Sequence, residues 1–94
     1  MPGTSYNYEF VAQPAINEKL KNELRTEEQK EAFLIRLATT LGANPRTAGA
    51  ECSRDSLYRG KRKLDHMDEA LGFCIVVFKV VGRTVTIYLV KPMD

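Results

Sequence analysis

The strongest chemical signal in the sequence is a run of cations at residues 59–63, Arg-Gly-Lys-Arg-Lys. Side chains of one charge placed this close together repel one another unless an anion or solvent screens them. Gly60 lies within the run, and a residue without a side chain lets another molecule approach the backbone closely. A nucleic-acid phosphate backbone fits such a segment, and its affinity would be salt-dependent through counterion release. The alternative is a solvated edge strand on which lysines prevent unwanted strand pairing.

A second chemical candidate, His66, follows this run in the segment Asp65-His-Met-Asp-Glu69. An imidazole beside carboxylates has a proton affinity suited to general acid–base catalysis near neutral pH. The alternative is a surface histidine in a connecting loop, because no nucleophile is implied nearby.

The composition describes one small domain and excludes several other classes. The chain has 94 residues and a formal charge of +2, with only two cysteines and one histidine. These residues supply neither a disulfide framework nor a metal site, and no cofactor motif is present. The longest apolar run is too short to cross a membrane, and without a secretory signal the expected location is the cytoplasm.

The small net charge conceals an uneven distribution of charged residues. Between Arg46 and Lys63 the sequence carries six basic and two acidic residues, a local charge of +4. Such a concentration matters more to a polyanion than the total charge does.

The N-terminal half is predicted to form a strand followed by two helices. Tyr6–Val11 alternates aromatic and polar residues with period two, which predicts a half-buried strand. Pro14 permits a helix that begins near Ala15. Thr26, with glutamine three positions later, forms a capping-box pattern that predicts the start of a second helix, one continuous helix being the alternative. Gly42 and the following Asn-Pro predict the end of that helix.

The C-terminal half is predicted to form a loop followed by three strands. Residues 46–56 show neither helical nor strand periodicity and are interpreted as the loop. Leu57–Leu64 is predicted as a strand with a basic face, and Asp65–Leu71 as a polar connection. Phe73–Val81 is apolar except for one lysine, which predicts a central strand covered on both sides. Thr84–Val90 alternates and is predicted to pair with it in a hairpin.

These elements give the order β-α-α-β-β-β within a single domain over residues 1–94. The predicted fold class is α+β, with a helical hairpin packed on one side of a small, mostly antiparallel sheet. Cys74 lies in the most apolar strand and is interpreted as a packed core thiol. Tyr58 and Tyr88 are interpreted as half-buried sheet residues, the alternative being platforms on which bases stack.

The order of elements resembles the RelE/ParE superfamily of bacterial toxins. In that family a helical hairpin tends to end near Asn-Pro, as in Leu41-Gly-Ala-Asn-Pro45, and a loop with a glycine, here Gly49, follows. A basic strand similar to Leu57-Tyr-Arg-Gly-Lys-Arg62 comes next. The strand that then begins with glycine and an aromatic residue resembles Gly72–Phe78, and the closing strand resembles Leu89–Met93.

The resemblance implies a toxin-type domain of the kind that cuts messenger RNA on the ribosome or inhibits a DNA gyrase-like target, neutralised by an antitoxin protein. It implies Lys61 and Arg62 as charge-stabilising catalytic residues, and His66 completes a rearranged site. The positions predicted to contact nucleic acid are Arg59, Lys61, Arg62, Lys63 and Lys91.

Two departures from the family pattern leave the activity open. The arginine positions of the last two strands are occupied here by Cys74 and Met93, and one lost charge-stabilising group typically costs about 10²–10³ in rate. A messenger-RNA ribonuclease and a non-catalytic relative that binds nucleic acid or a target complex are therefore both considered. The alternatives are a small non-enzymatic inhibitor or adaptor, for example phage-encoded, and a plain RNA- or DNA-binding module.

Overall fold

The structure, a computed structural model that describes residues 6–42 and 44–93, pairs five strands in one sheet. The strands lie in the order β1-β5-β4-β3-β2, in which β1 is parallel to β5 and every other pair is antiparallel. The predicted α+β class is confirmed. In chain order the elements are β1 (Asn7–Ile16), a 3₁₀ helix (Glu18–Leu24), α1 (Glu27–Leu41), β2 (Ala50–Glu51), β3 (Arg62–Asp68), β4 (Gly72–Val81) and β5 (Thr84–Pro92).

The long helix α1 begins and ends where the sequence predicts. The Thr26 hydroxyl accepts a hydrogen bond from the Gln29 amide at 3.1 Å, and the Gln29 side chain accepts one from the Thr26 amide at 3.0 Å. This reciprocal pair satisfies amide donors that have no partner inside the helix, and it separates α1 from the preceding helix. At the other end Gly42 has φ of 69° and donates its N–H to Ala38, as expected of a glycine that ends a helix.

The predicted helix from Ala15 is wrong in its start and type. β1 continues to Ile16, which pairs with Val90 of β5, and a 3₁₀ helix follows only from Glu18. The backbone of β5 supplies hydrogen-bond partners to this segment, and such tertiary pairing outweighs a weak local helix preference. Leu20 and Leu24 of the 3₁₀ helix are nevertheless buried and face the core.

The strand predicted at Leu57–Leu64 begins later, at Arg62, and extends to Asp68. Turns occupy residues 54–60, where serine hydroxyls accept hydrogen bonds from backbone amides two residues ahead and compete with strand pairing. The polar connection predicted at Asp65–Leu71 is therefore largely strand. With the strand starting at Arg62, Arg59 and Lys61 precede it and only Lys63 of the three predicted in-phase cations lies within it. The predicted basic face of a single strand does not form.

The core lies on one face of the sheet, beneath α1 and the 3₁₀ helix. The hairpin of β4 and β5 forms as predicted, and β4 is the central strand. The prediction that β4 is covered on both sides is wrong, because both described helices pack on the same face and Phe73 on the other is 58% exposed. The buried core residues are Leu20, Leu24, Phe33, Leu37, Leu41, Cys74, Val76, Phe78, Val85, Ile87 and Val90.

Cys74 occupies the centre of this core, as the sequence predicts. Its side chain is fully buried, and burial raises the pKa of the thiol to about 11. A thiol with so small a thiolate fraction is a packing group rather than a nucleophile.

The loop that precedes β2 passes close to β3 and requires a glycine there. Gly49 has φ of 69°, and a Cβ at this position would overlap the backbone carbonyl oxygen of Lys63. Only a residue without a side chain allows the loop to approach the strand in this way.

We expect Gly49→Ala to destabilise the fold more than Gly82→Ala does. Gly82 has φ of 60° but open space around its Cα, so alanine there incurs only the left-handed backbone cost of about 1–2 kcal/mol. Gly49→Ala adds the overlap with Lys63, worth a further 1–3 kcal/mol or so. Urea unfolding of the two variants measures the difference, and equal midpoints would contradict the close approach.

Candidate nucleic-acid interface

Cationic side chains surround a small cleft of about 220 Å³ at the end of the sheet where β3 begins. Among the described residues that line it, Glu51 of β2 is the single carboxylate. We refer to this depression as the basic cleft. Its cations are Arg46, Lys61, Arg62 and Lys79, and its other lining residues are Gly60 and Val80.

Three parts of the chain supply these cations. Arg62 is the first residue of β3 and pairs with Phe78, so Lys79 of β4 lies just past the start of β3. Lys61 directly precedes the strand, where its amide donates to the Tyr58 carbonyl at 3.0 Å. Arg46 comes from the loop after α1, and its guanidinium donates to the carbonyl of Gly82 in the β4–β5 turn.

Arg62 has a structural role in addition to its charge. Its Nε donates to the carbonyl of Ala48 at 2.8 Å and its Nη2 to that of Gly49 at 3.1 Å. The side chain therefore fastens the loop before β2 to β3, and removing it would disturb the loop as well as the charge of the cleft.

The ammonium of Lys61 lies over an aromatic ring. Its Nζ is 4.6 Å from the centroid of the Tyr88 ring, a cation–π contact. Tyr88 is half-buried, as predicted, and this contact occupies one side of its ring. The contact holds the Lys61 ammonium beside the cleft, on the side of the sheet that the helices leave uncovered.

The other predicted contact residues lie outside the cleft. Arg59 is exposed in the turns before β3, and Lys63 is exposed on the uncovered side of the sheet, where it pairs with Val77. Lys91 is exposed on the same side and pairs with Ile75. Lys79 comes four positions after Ile75 on β4, so Lys91 is about 13 Å from the cleft along the sheet.

The structure places His66 in the interior, beneath α1, and separates it from the predicted site. The residue is 1% exposed, and its ring makes a T-shaped contact with the ring of Phe33. Its Nδ1 is 3.0 Å from the Thr40 hydroxyl, and its Nε2 is 3.0 Å from the Asp68 carboxylate. In this arrangement the imidazole joins a strand to a helix and does not line the basic cleft.

Asp68 is the centre of this buried network. Arg36 of α1 donates from Nε to its Oδ1 at 2.8 Å, and the amides of Ala70 and Leu71 donate to its Oδ2 at 3.1 Å each. Burial by itself would raise the pKa of Asp68, but the hydrogen bonds from Arg36, His66 and the two amides outweigh it and hold that pKa below the ordinary 3.8. The hydrogen bond to Asp68 in turn raises the pKa of Arg36.

Sequence reasoning missed two cations of the cleft and the whole of the buried network. Lys79 had a signal, because it is the single charged residue of an otherwise apolar strand. Arg46 lies at the start of the basic region, but no local pattern distinguishes it from the other cations there. The ion pair of Arg36 with Asp68 joins residues 32 positions apart, and no local pattern reveals it.

The chemistry available in the basic cleft is binding of an anion by fixed positive charges, with one carboxylate alongside. In residues 6–42 and 44–93, no cluster of three or more histidine, cysteine or acidic side chains could hold a metal ion. The helices of that part of the chain are all too short or too polar to span a bilayer. No family model, curated protein or solved structure matches this chain.

We expect Asp68 to make the fold acid-sensitive. Because its pKa is lower in the folded than in the unfolded chain, its stabilising effect is complete well above pH 3.8 and is lost as the pH falls through the folded pKa. Asp68→Asn, which leaves the partly exposed Arg36 without its charged partner, should lose about 1.5–3 kcal/mol at neutral pH. The variant should also show a flatter decline of stability below pH 4.

Urea unfolding between pH 2 and 7 checks this prediction. Asp55→Asn is the matched control, because Asp55 is exposed in the turns before β3 and takes no part in the buried network, and it should retain the pH dependence of the wild type. Equal slopes for Asp68→Asn and the wild type would contradict the assignment.

Proposed function

We propose that this chain is a nucleic-acid-binding domain that holds the phosphate backbone in its basic cleft. The observation that carries the proposal is the convergence of Arg46, Lys61, Arg62 and Lys79 on one concave cleft, beside the carboxylate of Glu51. Guanidinium and ammonium groups are the side chains that most often contact phosphates, and a concave surface lets several of them reach one backbone. The proposal includes a cytoplasmic location, where the protein would have access to RNA and DNA.

The surroundings of the cleft extend the positive surface. Arg59 and Lys63 are exposed beside it, so a bound strand that follows the cleft meets further cations. Lys61 is held by the Tyr88 ring, and Arg46 and Arg62 are held by backbone carbonyls. Such preorganised cations lose less side-chain freedom on binding than free surface lysines do.

We expect Lys61→Ala and Lys79→Ala each to weaken binding to RNA or DNA by about 3- to 10-fold near physiological salt. Each should also reduce the slope of log affinity against log salt by about one unit, because one phosphate contact is lost. Fluorescence anisotropy with a labelled oligonucleotide at several salt concentrations measures both quantities. Arg62→Ala is unsuitable, because it would also release the loop at Ala48 and Gly49.

Lys19→Ala is the matched control. Lys19 is an exposed lysine on the 3₁₀ helix and does not line the cleft, so its loss should leave affinity and slope unchanged. If Lys19→Ala had the same effect as Lys61→Ala, binding would reflect net charge alone and the cleft would have no special role. Failure of the wild type to bind RNA or DNA at low salt would refute the proposal.

One observation favours a second candidate, cleavage of RNA by a toxin-type domain with an antitoxin partner. Glu51 places a carboxylate among the cations of the cleft. A carboxylate can take the proton of a 2′-hydroxyl as that oxygen bonds to the adjacent phosphorus, and adjacent cations stabilise the charge that develops on the phosphate. The bond from phosphorus to the 5′-oxygen of the next nucleotide then breaks, and the protonated carboxyl returns its proton to that oxygen. The buried His66 would have no part in such a reaction.

Glu51→Gln separates the two candidates, because it preserves shape and removes the base. In the second candidate the wild type cleaves RNA but not DNA and arrests growth when expressed, and Glu51→Gln loses both effects by about 10²-fold or more. In the first candidate RNA remains intact. Glu51→Gln then binds RNA slightly more tightly, since one negative charge has been removed.

A further inference from the structure

The side of the sheet that faces away from α1, which we call the open face, exposes an apolar row at the end remote from the basic cleft. Met67 of β3 pairs with Phe73 of β4. On the other side of β4, Met93 directly follows β5, and its amide donates a hydrogen bond to the Phe73 carbonyl. The exposed fractions are 57% for Met67, 58% for Phe73 and 46% for Met93. Contiguous exposed methionine and phenylalanine are typical of an interface.

The next row along the open face carries opposite charges on its two sides. Asp65 of β3 pairs with Ile75 of β4, and Ile75 pairs with Lys91 of β5. Two strand spacings, about 10 Å, separate the acid from the base, which is too far for an ion pair within one molecule. In the part of the chain that the structure describes, neither Asp65 nor Lys91 takes part in an ion pair.

We propose that the apolar half of the open face binds a second copy of this chain, related by a two-fold axis parallel to β4. This rotation places β3 of one copy over β5 of the other. Asp65 then meets the partner's Lys91, and symmetry repeats the pair on the opposite side of the axis. The two Phe73 rings pack against each other, and Met67 meets the partner's Met93.

The charge pattern selects this axis over the other face-to-face arrangement. A two-fold axis perpendicular to the strands would place Asp65 over the partner's Asp65 and Lys91 over the partner's Lys91. Like charges directly opposite each other repel, whereas the axis parallel to β4 converts all four charges into two attractive pairs.

The rest of the open face limits the extent of the contact. The apolar half measures about 20 Å along the strands and about 14 Å across β3, β4 and β5, a footprint of roughly 280 Å². This is about a third of what a standard stable interface uses on each side, so we expect a weak, reversible dimer. Lys63 and Lys79 lie on the remaining half, where repulsion between the copies prevents further stacking. Both basic clefts stay outside the contact and point to the same end of the dimer.

Sedimentation equilibrium over a wide protein concentration range tests this proposal. The wild type should shift from 10.6 kDa toward twice that mass as concentration rises. Asp65→Lys and Lys91→Asp should each raise the dissociation constant about 10-fold or more, because each turns two attractive pairs into repulsive ones. The double variant should restore it to within about 3-fold of the wild type, because the pairs re-form with reversed polarity.

Two further variants make the test specific to this face. Phe73→Glu should abolish dimers, and Lys19→Glu on the 3₁₀ helix should leave them intact; circular dichroism verifies that each variant is folded. A wild type that stays monomeric throughout would overturn the proposal, and the open face would then bind a nucleic acid or a different protein. A dimer that the double variant does not restore would overturn the two-fold axis parallel to β4. Neither result bears on oligonucleotide binding by the basic cleft, which is measured separately.

Discussion

Asp68 carries a negative charge into the interior of a small domain, and the way that charge is satisfied determines how the two layers fit together. An unpaired buried carboxylate would cost several kcal/mol, which is comparable to the whole stability of a domain of this size. Here Arg36, His66 and two backbone amides satisfy it. Arg36 belongs to α1 and Asp68 to β3, so these bonds form together only when the helix lies over the strand at one register. Hydrophobic packing alone tolerates sliding, whereas directional bonds to a buried charge do not.

The register of β3 in turn determines where the basic cleft forms. His66 and Asp68 face α1, and alternate residues of a strand point to the same side of the sheet. Arg62 therefore lies on the same side as His66 and Asp68, where its side chain reaches the loop before β2. Its guanidinium holds the loop carbonyls of Ala48 and Gly49. The chain before β3 then places Lys61 beside Lys79. A cluster of cations would otherwise be unfavourable, and the carbonyl and aromatic partners of Arg46, Arg62 and Lys61 offset part of that repulsion.

The two faces of the sheet are chemically distinct, because the described helices pack on only one of them. One face is closed by the helices, and the buried polar side chains that the structure describes there all have hydrogen-bond partners. The other face carries lysines at one end and exposed Met67, Phe73 and Met93 at the other. Contiguous exposed apolar side chains in a small domain usually mark an interaction site, so we expect this uncovered sheet face to bind a partner. The basic cleft and the apolar half of the open face lie at opposite ends of the sheet, so the two proposed binding events do not compete.

Local patterns in the sequence were sufficient for several features of the fold. The capping box at Thr26, the terminal Gly42 and the alternation of Thr84–Val90 specified their elements because the physical cause in each case lies within a few residues. The apolar run of Phe73–Val81 identified the central strand, and the density of cations identified the region of the cleft. The type of fold followed from the order of these elements.

Only the tertiary structure decided the rest. The bounds of β3 differ from the sequence prediction because its inward-facing His66 and Asp68 have the polarity of a loop. Asp68 is buried only because it pairs with Arg36, which lies 32 positions away in the chain. The same burial removed His66 from the candidate site, and strand pairing, which no local spacing encodes, added Lys79 to it. The sequence by itself determined which charges this protein carries and where they are dense along the chain. Folding decided which of them meet, because contacts between distant segments depend on a register set by buried hydrogen bonds.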